Sequence, residues 1–153
     1  MILDVEGDIL LAAVDALVNP VNCVGVMGAG LARRFKEEYP DNYRLYRDAC
    51  RHGLVTPGRV LSWMHPTNYL RIFNFPTKLD WRDPSRLEYI ERGLASLVFT
   101  VEELDIRSIA IPQLGCGLGG LSWSDVRPLI VAAFDRVPDV RVLLYTPKVE
   151  EAP

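Results

Sequence analysis

Two segments rich in small residues most restrict what this chain can fold into. The segment GVMGAGL at positions 25–31, the early glycine loop, follows the apolar stretch ALVNPVN. The segment GCGLGG at positions 115–120, the late glycine loop, follows the apolar stretch IAIPQL. A helix is predicted directly after each loop. Two such strand–loop–helix units indicate a sheet with parallel strands, whose loops meet helix N-termini at the carboxyl edge.

The rest of the chain continues this alternation. Hydrophobic patterning predicts strands within 2–10, 13–22, 58–65, 69–76, 107–114 and 139–147, and helices within 30–40, 40–53, 85–104 and 122–137. We expect Asn19-Pro20 to stop the second strand. The pattern predicts an α/β fold, a three-layer α/β/α sandwich around one mixed, mainly parallel sheet. One domain is expected over residues 1–148, followed by an acidic tail, 149–153, that is frayed or begins a linker.

Charge and composition narrow the classes of function. The net charge of −3 gives no general basic field for nucleic acid. Three widely spaced cysteines argue against a disulfide framework and for a reducing, cytoplasmic compartment. With two histidines and no CxxC motif, we expect no metal site and no cofactor. No apolar run approaches a bilayer span and the N-terminus lacks a basic leader, so neither a membrane helix nor a signal peptide is expected.

The two glycine loops are suited to holding an anion from opposite sides. A helix N-terminus offers free N–H groups and partial positive charge, and glycine lets the backbone approach closely. The chain has no GxxxxGK[ST] and no strand-anchored GxGxxG with a following acid, so neither common nucleotide fingerprint applies. A pyrophosphate is the expected ligand. The alternative is that the glycines only make tight strand-to-helix turns.

A set of motifs in order along the chain resembles the macrodomain, an ADP-ribose-binding fold. The motifs are Gly7-Asp8-Ile9, VNPVN at 18–22, GVMGAGLA and GCGLGGL. The segments NFPTK at 74–78, LDWRDPS and QLGCGLGGL are similar to the branch that contains terminal ADP-ribose glycohydrolase and the DarG antitoxins. DarG proteins reverse the ADP-ribosylation of thymidine in DNA that DarT toxins introduce. The resemblance therefore implies a hydrolase that releases ADP-ribose from single-stranded DNA.

The resemblance also implies roles for residues at matching positions. Asp8 and the Ile9 N–H would contact the adenine, Tyr145 would flank it, and Asn22 would bind the distal ribose. Lys78 would lie at the anomeric carbon, so Lys78 and Asn22 are the expected catalytic residues. The expected ADP-ribose-binding set is Asp8, Ile9, Asn19, Asn22, Gly25, Val26, Met27, Gly28, Ala29, Gly30, Leu31, Gly115, Cys116, Gly117, Leu118, Gly119, Gly120 and Tyr145.

One position departs from the related two-residue mechanism. A relative with that mechanism carries an aspartate in this loop, where this chain has Gly119. Two chemical roles of Lys78 remain open. As a free amine it would attack a ring-opened aldehyde and form a Schiff base. As a protonated amine it would donate to the leaving base or stabilise charge at the ribose oxygens. Each residue also has a plainer interpretation: Lys78 as a solvated loop lysine, Asn22 as a turn cap, and Asp8 as an N-cap.

Nucleic acid contact needs residues outside the pocket. Trp81 and Arg82 follow Lys78 closely, and an aromatic ring can stack on a base while arginine pairs with phosphate. We expect one of them to contact the modified base or its neighbours, unless Trp81 packs under its loop. The arginines on the 40–53 helix are interpreted as a solvated face. Cys23 and Cys116 are expected to be small packing residues, since no histidine lies near them in sequence.

Three functions remain open on the sequence. The first is removal of ADP-ribose from thymidine in single-stranded DNA, as an antitoxin whose DarT-type partner binds through a domain outside this chain. The second is an ADP-ribose reader without turnover. The third is a hydrolase of ADP-ribosyl-glutamate or O-acetyl-ADP-ribose. A monomer without membrane contact is expected in each case.

Overall fold

The computed structural model describes residues 1–146, and the predicted tail at 149–153 therefore lies outside the described residues. The strands of this range are β1 (Ile2–Val5), β2 (Ala16–Val21), β3 (Leu61–Met64), β4 (Arg71–Pro76), β5 (Ser108–Ile111) and β6 (Arg141–Tyr145). The helices are α1 (Gly30–Glu38), α2 (Pro40–Arg51), α3 (Leu87–Glu103) and α4 (Trp123–Phe134). Every predicted strand and helix is present within its expected segment.

The strands form one six-stranded sheet in the order β1-β6-β5-β2-β4-β3. All neighbouring strands run parallel except β3 and β4, which form an antiparallel pair. The prediction of a mixed, mainly parallel sheet is confirmed. Because the parallel strands share a direction, the segments that follow β1, β2, β4, β5 and β6 all leave the same edge of the sheet.

Side chains of successive strand residues enter two different cores, as the pleat requires. In β2, Ala16 and Val18 join the large core under α3 and α4, whereas Leu17 packs with Phe35 of α1 on the opposite face. A third cluster places Tyr46 of α2 against Val21 at the end of β2. Helices therefore cover both faces of the sheet, which confirms the three-layer α/β/α prediction.

The prediction that Asn19-Pro20 stops the second strand is wrong. The strand β2 continues to Val21, and Pro20 lies opposite Phe75 of β4. On its other side β2 pairs with β5 only at Ala16 and Leu17, so this side of β2 has no strand partner at Pro20. A proline without an N–H is tolerated at such an unpaired position.

A short 3₁₀ turn, Ile9–Leu11, follows β1. Asp8 precedes this turn, and its Oδ1 accepts a hydrogen bond from Leu10 N at 3.1 Å. The plainer interpretation of Asp8 as an N-cap is therefore confirmed, and the other carboxylate oxygen, Oδ2, accepts from Arg34. None of the helices in residues 1–146 has the length and apolarity needed to cross a bilayer.

Candidate ligand pocket

A cavity of about 730 Å³ lies at the carboxyl edge of the sheet. Its volume falls within the roughly 300 to 1,000 Å³ of pockets that hold small ligands. Fourteen expected site residues line it: Ile9, Asn22, Val26, Gly28, Ala29, Gly30, Leu31, Lys78, Trp81, Gly115, Gly117, Leu118, Gly119 and Tyr145. The sheet order brings the early and late glycine loops together because the strands that precede them, β2 and β5, are neighbours.

The two glycine loops present unused backbone donors to this cavity. Helix α1 begins at the end of the early glycine loop, and its N-cap residue, Ala29, supplies no side-chain hydrogen bond. No hydrogen bond within residues 1–146 uses the N–H groups of positions 28–32 or 117–119. Free N–H groups at a helix start and in a glycine loop favour an anion. The arrangement is suited to a pyrophosphate held between the loops.

Asn22 is the residue that shapes the early glycine loop. Its Oδ1 accepts from Val24 N at 3.1 Å and from Val26 N at 3.4 Å, and its Nδ2 donates to the Val26 carbonyl at 2.7 Å. The Tyr46 hydroxyl lies 2.7 Å from the same Oδ1. The turn-capping interpretation is thus confirmed. An amide nitrogen has two hydrogens, so one N–H of Asn22 is left for a ligand at the cavity wall.

One end of the cavity, where β1 and β6 end, is lined by Arg34 and Tyr145, and Asp8 lies beside it. The Arg34 guanidinium donates to Asp8 Oδ2 at 2.5 Å. This hydrogen bond is the main reason that the pKa of Asp8 lies below its ordinary value. Burial, and to a smaller extent the Asp8 charge, raises the pKa of Tyr145. The result is an ionised acceptor beside an aromatic side chain, as adenine recognition would require.

Lys78 lies on the other side of the glycine loops, after β4. Its Nζ donates to the carbonyl oxygen of Trp81 at 3.2 Å. The Asp80 carboxylate accepts from the Arg82 backbone N–H and guanidinium at 3.0 to 3.1 Å. These Arg82 contacts are the main cause of a lowered pKa at Asp80, and the Lys78 charge contributes less. The segment 78–82 therefore holds Lys78 in a defined place against the cavity.

The backbone at Gly119 has no room for a side chain. A Cβ there would overlap with Ser85 Oγ and would lie 2.5 Å from the carbonyl oxygen of Gly115. An aspartate at this position would force the late glycine loop to move. The missing loop acid thus has a packing reason, since Ser85 fills the space that it would need.

Seven expected site residues do not line the cavity: Asp8, Asn19, Gly25, Met27, Cys116, Gly120 and Arg82. Asp8 and Arg82 lie next to lining residues. Asn19 and Met27 are buried, and Asn19 Nδ2 donates to Asn74 Oδ1 at 3.2 Å. Asn19 lies two residues before the end of β2, and Asn42 of α2 donates to the same Asn74 oxygen, so α2 covers Asn19.

The three cysteines are free thiols with no sign of activation. Burial raises the pKa of each, to about 11 for Cys23, where Cys50 adds a smaller effect. A nucleophilic cysteine needs the opposite shift. The structure supports the interpretation of Cys23 and Cys116 as packing residues. No group of three or more potential metal-ligating side chains lies together within residues 1–146.

Sequence reasoning missed nine lining residues: Gly7, Pro20, Val21, Ala32, Arg34, Thr77, Pro112, Gln113 and Thr146. Most are direct neighbours of expected residues, so extending each motif by one or two positions would have found them. Arg34 is different, because it reaches Asp8 across 26 positions of sequence. The only local sign that Arg34 could reach the cavity was its position one helical turn after Gly30.

Comparison with known proteins identifies the kind of fold that carries this pocket. A family model described as "Macro domain" matches residues 18–130. Two curated relatives are named DNA ADP-ribosyl glycohydrolase. The one from Mycobacterium tuberculosis is 48% identical over 146 residues, covering 93% of this chain and 41% of the relative. The one from Thermus aquaticus is 50% identical over 145 residues, covering 94% and 40%. The chain thus spans about two fifths of the length of these relatives.

Solved structures give the same match. The macrodomain of Mycobacterium tuberculosis DarG is 47% identical with a TM-score of 0.95, and the alignment covers 97% of this chain and 99% of that one. The structure titled "Thermosipho africanus DarTG in complex with ADP-ribose" is 35% identical with a TM-score of 0.90, over 99% of this chain and 43% of the other.

Proposed function

The chain belongs to the Macro domain family, and on this basis we propose that its pocket binds ADP-ribose and that it removes ADP-ribose from thymidine in single-stranded DNA. The matched relatives named DNA ADP-ribosyl glycohydrolase support this activity. The structure titled as a complex with ADP-ribose supports the ligand.

The observation that carries the proposal is the order of groups across the sheet. Asp8 follows β1 and Tyr145 is the last residue of β6. The glycine loops follow β5 and β2, and Lys78 follows β4. This order is the order of parts in ADP-ribose: adenine, pyrophosphate and distal ribose. An extended dinucleotide-like ligand laid along the edge would meet an acceptor, then free N–H groups, then the Lys78 ammonium.

In hydrolysis, water adds to the anomeric carbon of the distal ribose while the bond to the thymine nitrogen breaks. The electron pair leaves with the base, which needs a proton. The adding water releases a proton to solvent, and this proton restores the group that protonates the base. Nζ of Lys78 donates to the Trp81 carbonyl in the structure, and the negative charge of Asp80 lies near enough to interact with the Lys78 ammonium. Gly119 supplies no carboxylate to help resolve a covalent intermediate. For both reasons we place Lys78 as the donor to the leaving base rather than as an attacking amine.

The DNA strand would lie beside the Lys78 side of the cavity. Trp81 lines the cavity there and is 54% exposed, so the alternative that it packs under its loop does not describe it. The Arg82 guanidinium lies 5.3 Å from the centre of the Trp81 ring. Trp81 is suited to stacking on the modified base or its neighbour, and Arg82 to a flanking phosphate.

A cytoplasmic antitoxin role is part of the same proposal. A relative from Thermosipho africanus, 35% identical over 168 residues, is named a DNA ADP-ribosyl transferase–DNA ADP-ribosyl glycohydrolase fusion protein. Its name pairs the two opposed activities in one chain. The counterpart of this protein would be a DarT-type transferase, contacted through sequence beyond these 153 residues.

The test uses a single-stranded oligonucleotide with one ADP-ribosylated thymidine. Wild type, Lys78→Ala and Lys36→Ala are incubated with it, and loss of the modification is followed on a gel. Lys36 is the matched control because it is a lysine of α1 outside the cavity, where its ammonium group lies over the ring of Tyr43. Wild type and Lys36→Ala should release ADP-ribose, and Lys78→Ala should be slower by about 10²–10⁴-fold.

Two results would count against the proposal. Near-normal release by Lys78→Ala would remove Lys78 from the reaction. No release by wild type, alongside tight ADP-ribose binding, would indicate a reader module or a protein-linked substrate. Parallel assays with ADP-ribosyl-glutamate peptide and O-acetyl-ADP-ribose separate these two alternatives.

A further inference from the structure

Ser85 has an unusual place beneath the late glycine loop. It ends the segment 78–85 that begins with Lys78, and its backbone N–H donates to the Gly119 carbonyl at 3.0 Å. The same segment is tied to the chain before the early glycine loop, since Cys23 N donates to the Leu79 carbonyl at 2.9 Å. Ser85 thus stands where the Lys78 segment meets the loop expected to hold the pyrophosphate.

The side chain of Ser85 is closely enclosed by that loop. A Cβ on Gly119 would overlap with Ser85 Oγ, and a Cβ on Gly115 would lie 3.1 Å from Ser85 Cβ. Glycine at both positions is what allows the loop to lie over the serine. The contact is therefore built by three residues together.

The hydroxyl of Ser85 has no hydrogen-bond partner within residues 1–146, although the residue is only 6% exposed. A buried hydroxyl without a partner is unfavourable, and native proteins usually satisfy such groups. The Gly115 carbonyl oxygen and Ser85 Oγ both lie close to the same point beneath Gly119. That carbonyl accepts one bond, from Leu121 N at 2.9 Å, and can accept a second.

We propose that Ser85 is a positioning residue for the late glycine loop: when ADP-ribose binds, the Ser85 hydroxyl donates to the Gly115 carbonyl and fixes the loop N–H groups around the pyrophosphate. The inference rests on the proposed binding of ADP-ribose. It also links the anion site to Lys78, because Ser85 and Lys78 belong to one hydrogen-bonded segment. Binding of the pyrophosphate would thereby steady the segment that carries the reactive lysine.

The proposal predicts how Ser85→Ala changes the melting temperature and the affinity for ADP-ribose. The free protein loses no hydrogen bond in this variant, so its melting temperature should not fall. The ligand complex loses one, so the Kd for ADP-ribose should rise about fivefold, the equivalent of one net hydrogen bond. A serine needed only for the fold would show the reverse pattern.

Ser62 offers a matched control. Its Oγ is also buried without a partner, but it lies in β3 and outside the cavity. Titration calorimetry with ADP-ribose and thermal unfolding without ligand would be carried out on wild type, Ser85→Ala and Ser62→Ala. The ³¹P NMR spectrum of bound ADP-ribose adds a direct view of the pyrophosphate, and only Ser85→Ala should shift its signals.

The possible results separate the positioning role of Ser85 from the proposed binding of ADP-ribose. A rise in Kd for Ser85→Ala alone, with unchanged melting temperature and shifted ³¹P signals, supports the positioning role. A Kd within twofold of wild type overturns it, and so does a loss of affinity that accompanies a clear fall in melting temperature. Absence of ADP-ribose binding by wild type overturns the proposed function itself, and the role of Ser85 with it.

Discussion

The Tyr46 hydroxyl, in the middle of α2, lies 2.7 Å from Oδ1 of Asn22 and 2.8 Å from its backbone carbonyl oxygen. Tyr46 is fully buried, so this contact is shielded from water. Asn22 in turn holds the backbone of Val24 and Val26 at the start of the early glycine loop. A helix with no residue in the cavity lining therefore fixes the loop that lines the cavity.

Replacing Tyr46 with phenylalanine should test this relationship. The ring still fills the core, so no cavity forms, but the buried oxygens of Asn22 lose a donor. We expect a loss of about 1 to 2 kcal/mol in the free energy of unfolding, together with weaker ADP-ribose binding. Urea unfolding and titration calorimetry would measure the two effects.

The control for this variant is Tyr43→Phe. Tyr43 donates to the Gly25 carbonyl at 3.3 Å and is only partly buried, so its effect on both quantities should be smaller. Unchanged stability and affinity in Tyr46→Phe would show that Asn22 holds the loop without help from α2.

Gly28→Glu should abolish ADP-ribose binding while leaving the fold intact. Gly28 is exposed in the cavity wall, and a Cβ there would make only an ordinary contact with Val26 at 3.4 Å. A carboxylate among the free N–H groups would fill the space and oppose the charge of a pyrophosphate. We expect at least about a hundredfold loss of affinity, or roughly 2.7 kcal/mol, by calorimetry.

Gly28→Ala is the comparison for size without charge, and it should retain most of the affinity. Circular dichroism would verify that both variants fold. Wild-type affinity in a folded Gly28→Glu variant would remove the early glycine loop from the binding site.

The fold was predictable because its signals are local. Period-two and helical patterns identified every strand and helix, and the two glycine loops located the edge where ligands bind. The failure at Asn19-Pro20 has a different origin, since whether a proline ends a strand depends on its neighbours. Only the register between β2 and β5 shows that their pairing stops before Pro20 is reached.

The site was less predictable because part of it is made by long-range contacts. Asn22 could be identified from its motif, but its hydrogen bonds to the loop and Tyr46 could not. Arg34 and Ser85 belong to no glycine motif, and their relevance follows from what they touch, Asp8 and Gly119. Residues that act through such contacts carry no pattern in a single sequence.

The affinity for ADP-ribose should be constant between pH 8 and pH 5. The hydrogen bond from Arg34 holds the pKa of Asp8 below its ordinary 3.8. A carboxyl with a lowered pKa stays ionised as pH falls, and its contribution is lost only below 3.8. The histidines, His52 and His65, lie outside the cavity lining. Calorimetry at pH 5, 6, 7 and 8 would measure this, and a midpoint near pH 6 would contradict it.

Borohydride should trap no adduct between Lys78 and ADP-ribose during turnover. A lysine that donates a proton forms no Schiff base, whereas an attacking amine forms one that borohydride reduces to a stable bond. Intact-protein mass spectrometry after quenching would detect the reduced product. A covalent adduct that is absent from Lys78→Ala would establish the nucleophilic route instead.

Trp81→Ala should weaken action on DNA without weakening the binding of free ADP-ribose. Stacking on one base is worth roughly 1 to 3 kcal/mol, so KM for the modified oligonucleotide should rise about five- to 150-fold. Free ADP-ribose lacks that base, and calorimetry should give a Kd close to that of wild type.

The exposed ring of Phe99, on α3 and outside the cavity, supplies the control Phe99→Ala. Equal losses for ADP-ribose and DNA would instead place Trp81 in the wall of the ribose site, and an unchanged KM would remove it from the DNA path.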